Sequence, residues 1–182
     1  MEAHERQSVV DQLDSSRDHL TGLIAGLSAE QWRFSPAEGR WSIGQCVEHV
    51  TRVEKRVFGL IGKKLQENNP EPAKATPEQK AKDAEVARLI PDRSIPRNAP
   101  EPALPTGAWS HGGELVADFE KTRQGTAEFA RTSQGALRHY FIPHALFGEL
   151  DCYQWLLALS LHGLRHARQI EEIKAAPGYP KN

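Results

Sequence analysis

Two histidines four residues apart, His162 and His166, interrupt the apolar stripe of the stretch Asp151 to Lys174, DCYQWLLALSLHGLRHARQIEEIK. Trp155, Leu159, His162, His166, Ile170 and Ile173 recur at spacings of three and four, the period of a helix face turned toward a core. Both imidazoles therefore point inward from one face, about 6 Å apart along the axis, close enough to grip one ion. The zinc-protease pattern His-Glu-x-x-His shares this spacing, but Gly163, Leu164 and Arg165 stand between the two rings. The general-base Glu is missing, which disfavours a protease of that type. With eight His among 182 residues, such a pair arises by chance roughly 0.3 times per chain. The alternative reading is a pair of hydrogen-bonded core histidines, and a third ligand from elsewhere has to decide between the two.

The elements that must position these side chains are helical. From about Glu2 to Leu27, Val9, Leu13, Leu20, Leu23, Ile24 and Leu27 form one apolar face opposite Asp11, Asp14, Arg17 and Asp18, with His4 and His19 as surface residues. Ser28 to Gln31 offers a capping box for a short turn, and Pro36 with Gly39 marks a connection. A second long helix begins at Trp41-Ser42-Ile43-Gly44-Gln45, with Ser42 and Gln45 as its box, and should run to about Gln66. His49 flanks its buried stripe of Ile43, Cys46, Val47, Val50, Val53, Val57, Leu60 and Ile61, and reads equally as an edge histidine or an inward one. Gln45 could orient an imidazole from behind or simply face solvent.

Residues 68–112 hold eight of the 12 prolines and form a crossing connection that should span the length of the domain. Within it, Thr76-Pro77-Glu78-Gln79 starts a short helix toward Leu89, and IPRNAPEPALP should be extended. A third long helix over about Gly113–Thr132 carries Leu115, Phe119, Thr122, Thr126 and Phe129 on one side. The segment GALRHYFIPHALFGEL reads as a connection with His139 and His144 as loop residues, before Asp151 and Gln154 cap the fourth helix. The fold class is all-α: a four-helix bundle in up-down-down-up order, with the crossover between helices 2 and 3. In that order helices 2 and 4 are antiparallel. His49 then lies about 10 Å from the start of helix 2, and His162 and His166 about 12 to 18 Å from the end of helix 4, so all three imidazoles reach a similar depth.

A chain of 182 residues is expected to form one domain, 1–182, with a core large enough to need no disulfide. The formal charge of -1 gives no global attraction to nucleic acid, and the basic run Arg52, Lys55, Arg56, Lys63 and Lys64 reads as a solvated helix face. No apolar run of 18 residues and no basic start followed by an apolar stretch occurs, so neither a membrane span nor export is expected and the cytoplasm is the default. Cys46 and Cys152 are expected as free buried thiols.

Three pieces in order, WSIGQCVEHV around His49, HALFGELDCYQW at 144–155 and LHGLRHARQI at 161–170, resemble the DinB-like superfamily of metal-binding four-helix bundles, over nearly the whole chain. The second piece departs from the family pattern, which often has His-Pro before Phe-Gly where this chain has Pro143-His144-Ala145-Leu146-Phe147-Gly148. The resemblance implies His49, His162 and His166 as metal ligands, assigns no catalytic side chain, and suggests a homodimer. Relatives in the superfamily include S-transferases and isomerases that use bacillithiol or mycothiol, and metal-dependent hydrolases.

Three neutral imidazoles leave a divalent ion, zinc or nickel first, with an open coordination position. A cosubstrate thiol there is held as thiolate and attacks a small electrophile, the expected S-transferase chemistry; alternatively, water acidified toward a pKa of ~7 serves hydrolysis. No carboxylate lies on the face of His162 and His166 to shuttle protons, which counts against hydrolysis. A non-catalytic bundle, a metal sensor or dimerisation module, is the third reading, and a closed site with Cys46 as a fourth ligand would favour it.

Overall fold

The computed structural model describes residues 1–181. Four long helices make the bundle: α1 (Ala3–Ile24), α3 (Ile43–Gln66), α5 (Gly112–Thr132) and α6 (Cys152–Lys174), with α2 (Ala29–Arg33) and α4 (Pro77–Leu89) in the connections. The capping chemistry written in the sequence sets several of their starts. Ser42 and Gln45, Ser28 and Gln31, and Asp151 with Gln154 each form a reciprocal box, and Thr76 caps α4 with Pro77 in its first turn.

The helices form a ring in which α1 touches α5 and α6, and α3 touches the same two. At one end Arg138 joins Glu5 of α1 to Asp151 at the head of α6, and at the other Lys174 donates to the Leu23 carbonyl, so α1 and α6 run together. Trp109 packs on Gly44 and Phe58 on Phe129, so α3 and α5 also run together. His49 near the start of α3 meets His162 and His166 in the second half of α6, so those two are antiparallel. This is the up-down-down-up order.

Two apolar layers fill the ring. One is built from Val9, Leu13, Val57, Ile61, Ala127, Leu156 and Leu159, the other from Leu20, Val47, Val50, Phe119, Ala167 and Ile170. Between them lies a polar layer. Arg123, fully buried, donates to Glu54 through Nε at 2.9 Å and through a second nitrogen at 2.8 Å, and to the carbonyls of Leu13 and Leu159 at 3.1 and 3.3 Å. Its remaining N–H goes to Ser16 Oγ. The guanidinium fits against α6 because position 163 is glycine; a Cβ there would sit 3.2 Å from Arg123.

The crossover binds the outer side of α6 over most of its length. Gln79 and Gln154 exchange hydrogen bonds of 2.7 and 3.0 Å near its start, Arg165 donates to the carbonyls of Asp92 and Ile95, and Arg93 pairs with Glu172 near its end. Within 95–105, expected to be extended, Glu101–Ala103 forms a 3-10 turn, with Pro100 and Leu104 extended on either side of it.

The segment read as a plain connection before α6 is instead a β-hairpin. β1 (Phe141–His144) pairs antiparallel with β2 (Gly148–Asp151), with Phe141 opposite Asp151 and His144 opposite Gly148. Each strand has four residues and β1 contains Pro143, too short a run for alternation to announce a strand. The pairing is local, and Trp155 fixes it by donating its indole N–H to the Ile142 carbonyl at 3.1 Å.

Candidate metal centre

His49 is delivered by the second turn of α3, whose entry is set by the box of Ser42 and Gln45. Of the two readings left open, edge or inward, packing decides for the inward one: the side chain is buried, 4% exposed, with the crossover against it. Its Nδ1 lies 2.7 Å from the carbonyl oxygen of Ala103. A carbonyl only accepts, so Nδ1 carries the proton and Nε2 is left with its lone pair.

That lone pair points at α6. His49 Nε2 is 3.2 Å from His162 Nε2, and His166 Nε2 is 3.1 Å from the same atom. The ligand nitrogens of all three residues lie within 4.8 Å of one another, the only such group of His, Cys, Asp or Glu among the described residues. Two nitrogens bound tetrahedrally to zinc at 2.0–2.1 Å stand about 3.3 Å apart, and the two separations from His162, 3.2 and 3.1 Å, match that. The donor set fits too. Burial lowers the pKa of each imidazole, and the charges of neighbouring rings lower His162 and His166 further, so all three present neutral lone pairs at pH 7. On the far side of the His166 ring, Nδ1 is buried without a hydrogen-bond partner.

Trp41 forms one wall, its ring 4.8 Å from that of His49 and stacked at 20° on that of His166. His162 is less completely buried than His49 and His166. Carboxylates near it in sequence are engaged elsewhere: Glu48 accepts from the backbone of Thr106 at 2.7 Å and of Gly107 at 2.9 Å, and Glu54 is taken by Arg123.

Two supporting roles considered for neighbours fall away. The Gln45 amide oxygen accepts from the Ser42 N–H at 2.9 Å as part of the helix cap, so it orients no imidazole. Cys46 is fully buried in the apolar layer, its thiol pushed up to about 12 by burial, and it is not in the histidine cluster. His4 and His19 are exposed as read, with His19 3.0 Å from Glu171; His139 sits in a 3-10 turn and His144 in the hairpin. The contribution that residue types could not announce is the Ala103 carbonyl, a backbone group 54 residues from His49. Trp41 carried a signal, a large aromatic one residue before the cap of the helix that holds His49.

Comparison with known proteins agrees with the bundle fold. The family model described as the DinB superfamily matches residues 12–170. YuaE, an uncharacterized protein of Bacillus subtilis (strain 168), is 28% identical over 152 residues, covering 83% of this chain and 88% of its own. The solved structure of YfiT from Bacillus subtilis, described as a probable metal-dependent hydrolase with an unusual four-helix bundle topology, matches with a TM-score of 0.68 at 14% identity, over 99% of this chain and 91% of that one. At that identity the likeness is one of fold. Among the described residues no helix is long and apolar enough to cross a membrane.

Proposed function

The chain belongs to the DinB superfamily, and from that premise we propose that it is a metal-dependent enzyme that transfers a low-molecular-weight thiol to small electrophiles, with His49, His162 and His166 holding a divalent ion, zinc or nickel. The observation that carries the proposal is the convergence of three neutral imidazole nitrogens on one point. When bound, such an ion supplies Lewis acidity, which keeps a thiol in its nucleophilic, deprotonated form at neutral pH.

The chain's own residues do the rest. The Ala103 carbonyl holds the His49 proton on Nδ1, so the ligating nitrogen stays available. Trp41 covers one side, and in this reading the thiol and its partner enter past His162, the least buried of the three histidines. In the transfer the sulfur forms a bond to the electrophilic carbon, the leaving group departs with its electron pair, and the thiol proton goes to solvent.

A hydrolase is the second reading, favoured by the description of YfiT. Against it stands the engagement of Glu48 and Glu54, which leaves neither carboxylate free to move a proton at the centre. One assay separates the two. The zinc-loaded protein is expected to accelerate loss of chloride from 1-chloro-2,4-dinitrobenzene in the presence of a small thiol, and to leave 4-nitrophenyl esters at the buffer rate. Ester hydrolysis without thiol, and no thiol transfer, would reverse the assignment.

A further inference from the structure

Trp41, whose ring lies 4.8 Å from that of His49 and stacks on that of His166, also lines a cavity of about 300 Å³ to which no histidine contributes. The other walls are the turn before α3, with Ala37 and Arg40, and the end of α6, with Gln169, Glu172 and Ile173. That turn is held by its own hydrogen bonds. The Arg40 N–H donates to the Ala37 carbonyl at 3.1 Å, and the Ser35 hydroxyl lies 2.8 and 2.5 Å from the carbonyl oxygens of Ala37 and Arg40. Gly39, at φ 72°, closes it. This wall of the cavity is therefore preformed.

The polar groups around the cavity are unequally committed. Glu172 is spent, because Arg93 donates to both of its oxygens, at 2.7 and 2.5 Å. Gln169 gives its oxygen to the same Arg93 at 3.1 Å, which leaves its amide NH2 without an acceptor among the described residues. The Arg40 guanidinium makes no hydrogen bond and no ion pair among those residues. What the cavity offers is one uncompensated positive charge and one free amide donor, beside the indole of Trp41 and the apolar side chains of Ala37 and Ile173. Donors lacking an acceptor next to an aromatic wall fit a carboxylate carried on a flat apolar body.

We propose that this cavity binds a small aromatic carboxylate, with its ring against Trp41 and its carboxylate on Arg40 and Gln169. The site stands independently of the thiol-transfer reading. Trp41 is the wall it shares with the metal centre, so the ligand lies next to the histidines without ligating the ion they hold.

The test uses 15N-labelled full-length protein, metal-free and zinc-loaded, titrated with benzoate and with benzamide, the same ring without the charge. The Trp41 indole N–H resonance, assigned by its loss in Trp41→Phe, is the readout. Benzoate is expected to move it saturably in both forms of the protein, with a Kd on the order of 1 mM, ordinary for a one-ring ligand. Benzamide should bind about tenfold more weakly, and Arg40→Ala should weaken benzoate by the same factor, the scale of one charge-assisted hydrogen bond. Arg40→Lys, which restores the charge, should recover part of the loss, and Ala37→Trp, which fills the cavity, should abolish binding. Positions 37 and 40 are both exposed, so fold and zinc content should be unchanged in these variants. Equal affinity for benzoate and benzamide, or benzoate affinity unchanged in Arg40→Ala and Ala37→Trp, would overturn the assignment. Binding confined to the zinc-loaded protein would put the carboxylate on the ion and overturn it too. A wild type that takes up no zinc sinks the enzyme reading separately, and the metal-free titration still decides the cavity.

Discussion

Arg123 with Glu54 and the three histidines are two buried polar clusters on the same helices. Glu54 is five residues from His49 on α3, and Gly163, against which Arg123 lies, is next to His162 on α6. In the first cluster every N–H of the guanidinium finds an acceptor and the charges balance. In the second, three nitrogens crowd one point, His49 has only a lone pair to offer there, and His166 Nδ1 has no partner. Buried polar groups are normally satisfied from within. A satisfied cluster reads as architecture, and one whose ring nitrogens meet only one another, with a buried Nδ1 left unpaired, reads as a place for a ligand.

Breaking the architecture should give the largest effect. Glu54→Ala leaves Arg123 buried and uncompensated, and should cost about 3–5 kcal/mol in denaturant unfolding, while replacing the pair together by Leu and Met should recover most of it. A single-variant loss under 1 kcal/mol would remove the distinction between the clusters.

The histidine cluster should behave in the opposite sense. In chelator-treated protein His162→Leu should change stability by less than about 1 kcal/mol, because no satisfied network is lost; saturating zinc should stabilise the wild type by about 4 kcal/mol at a thousandfold excess over Kd, and leave the variant unmoved. Equal responses of the two proteins to zinc would place the binding elsewhere.

The pH dependence of metal-free protein sharpens the same contrast. The pKa values of His49, His144, His162 and His166 are lowered in the fold, so near their ordinary value the unfolded chain binds more protons than the native one. Their contribution is fully present above about pH 6.5 and falls as pH drops, by up to ~1.4 kcal/mol per pH unit for each proton; for His144 the loss is complete once pH passes about 4. Urea midpoints at pH 7.5, 6.5 and 5.5 should fall in that order, less steeply for His162→Leu, and a flat series contradicts the burial argument. The smallest effect belongs to the exposed pair of Lys55 and Asp118, 2.6 Å apart: Lys55→Ala should shift stability by under about 1 kcal/mol.

These contrasts show what a linear reading can reach. Helix starts at Ser28, Ser42, Thr76 and Asp151 were legible because capping is written within four residues, and the inward histidine pair because helical period is local. The length of the crossover announced that it spans the bundle. His49's burial and the Ala103 carbonyl were not legible, since both depend on a segment 54 residues away folding back. Glu54 and Arg123 did leave a mark: Glu54 falls between Val50 and Val57 on the buried stripe, and Arg123 between Phe119 and Ala127. Each alone looks like a misplaced surface charge, and only the pairing across 69 residues explains both. The hairpin escaped because four-residue strands with a proline have no period to read.

The central claim is that the unsatisfied cluster holds one divalent ion. Its most direct test is metal content by mass spectrometry on tag-free protein purified without chelators, beside His49→Ala, His162→Ala and the double variant Glu54→Leu with Arg123→Met. The account predicts close to one zinc or nickel per chain in the wild type and in the double variant, and none in either histidine variant. Metal retained after loss of His49 or His162, or a wild type that takes up none when zinc and nickel are supplied, would contradict it.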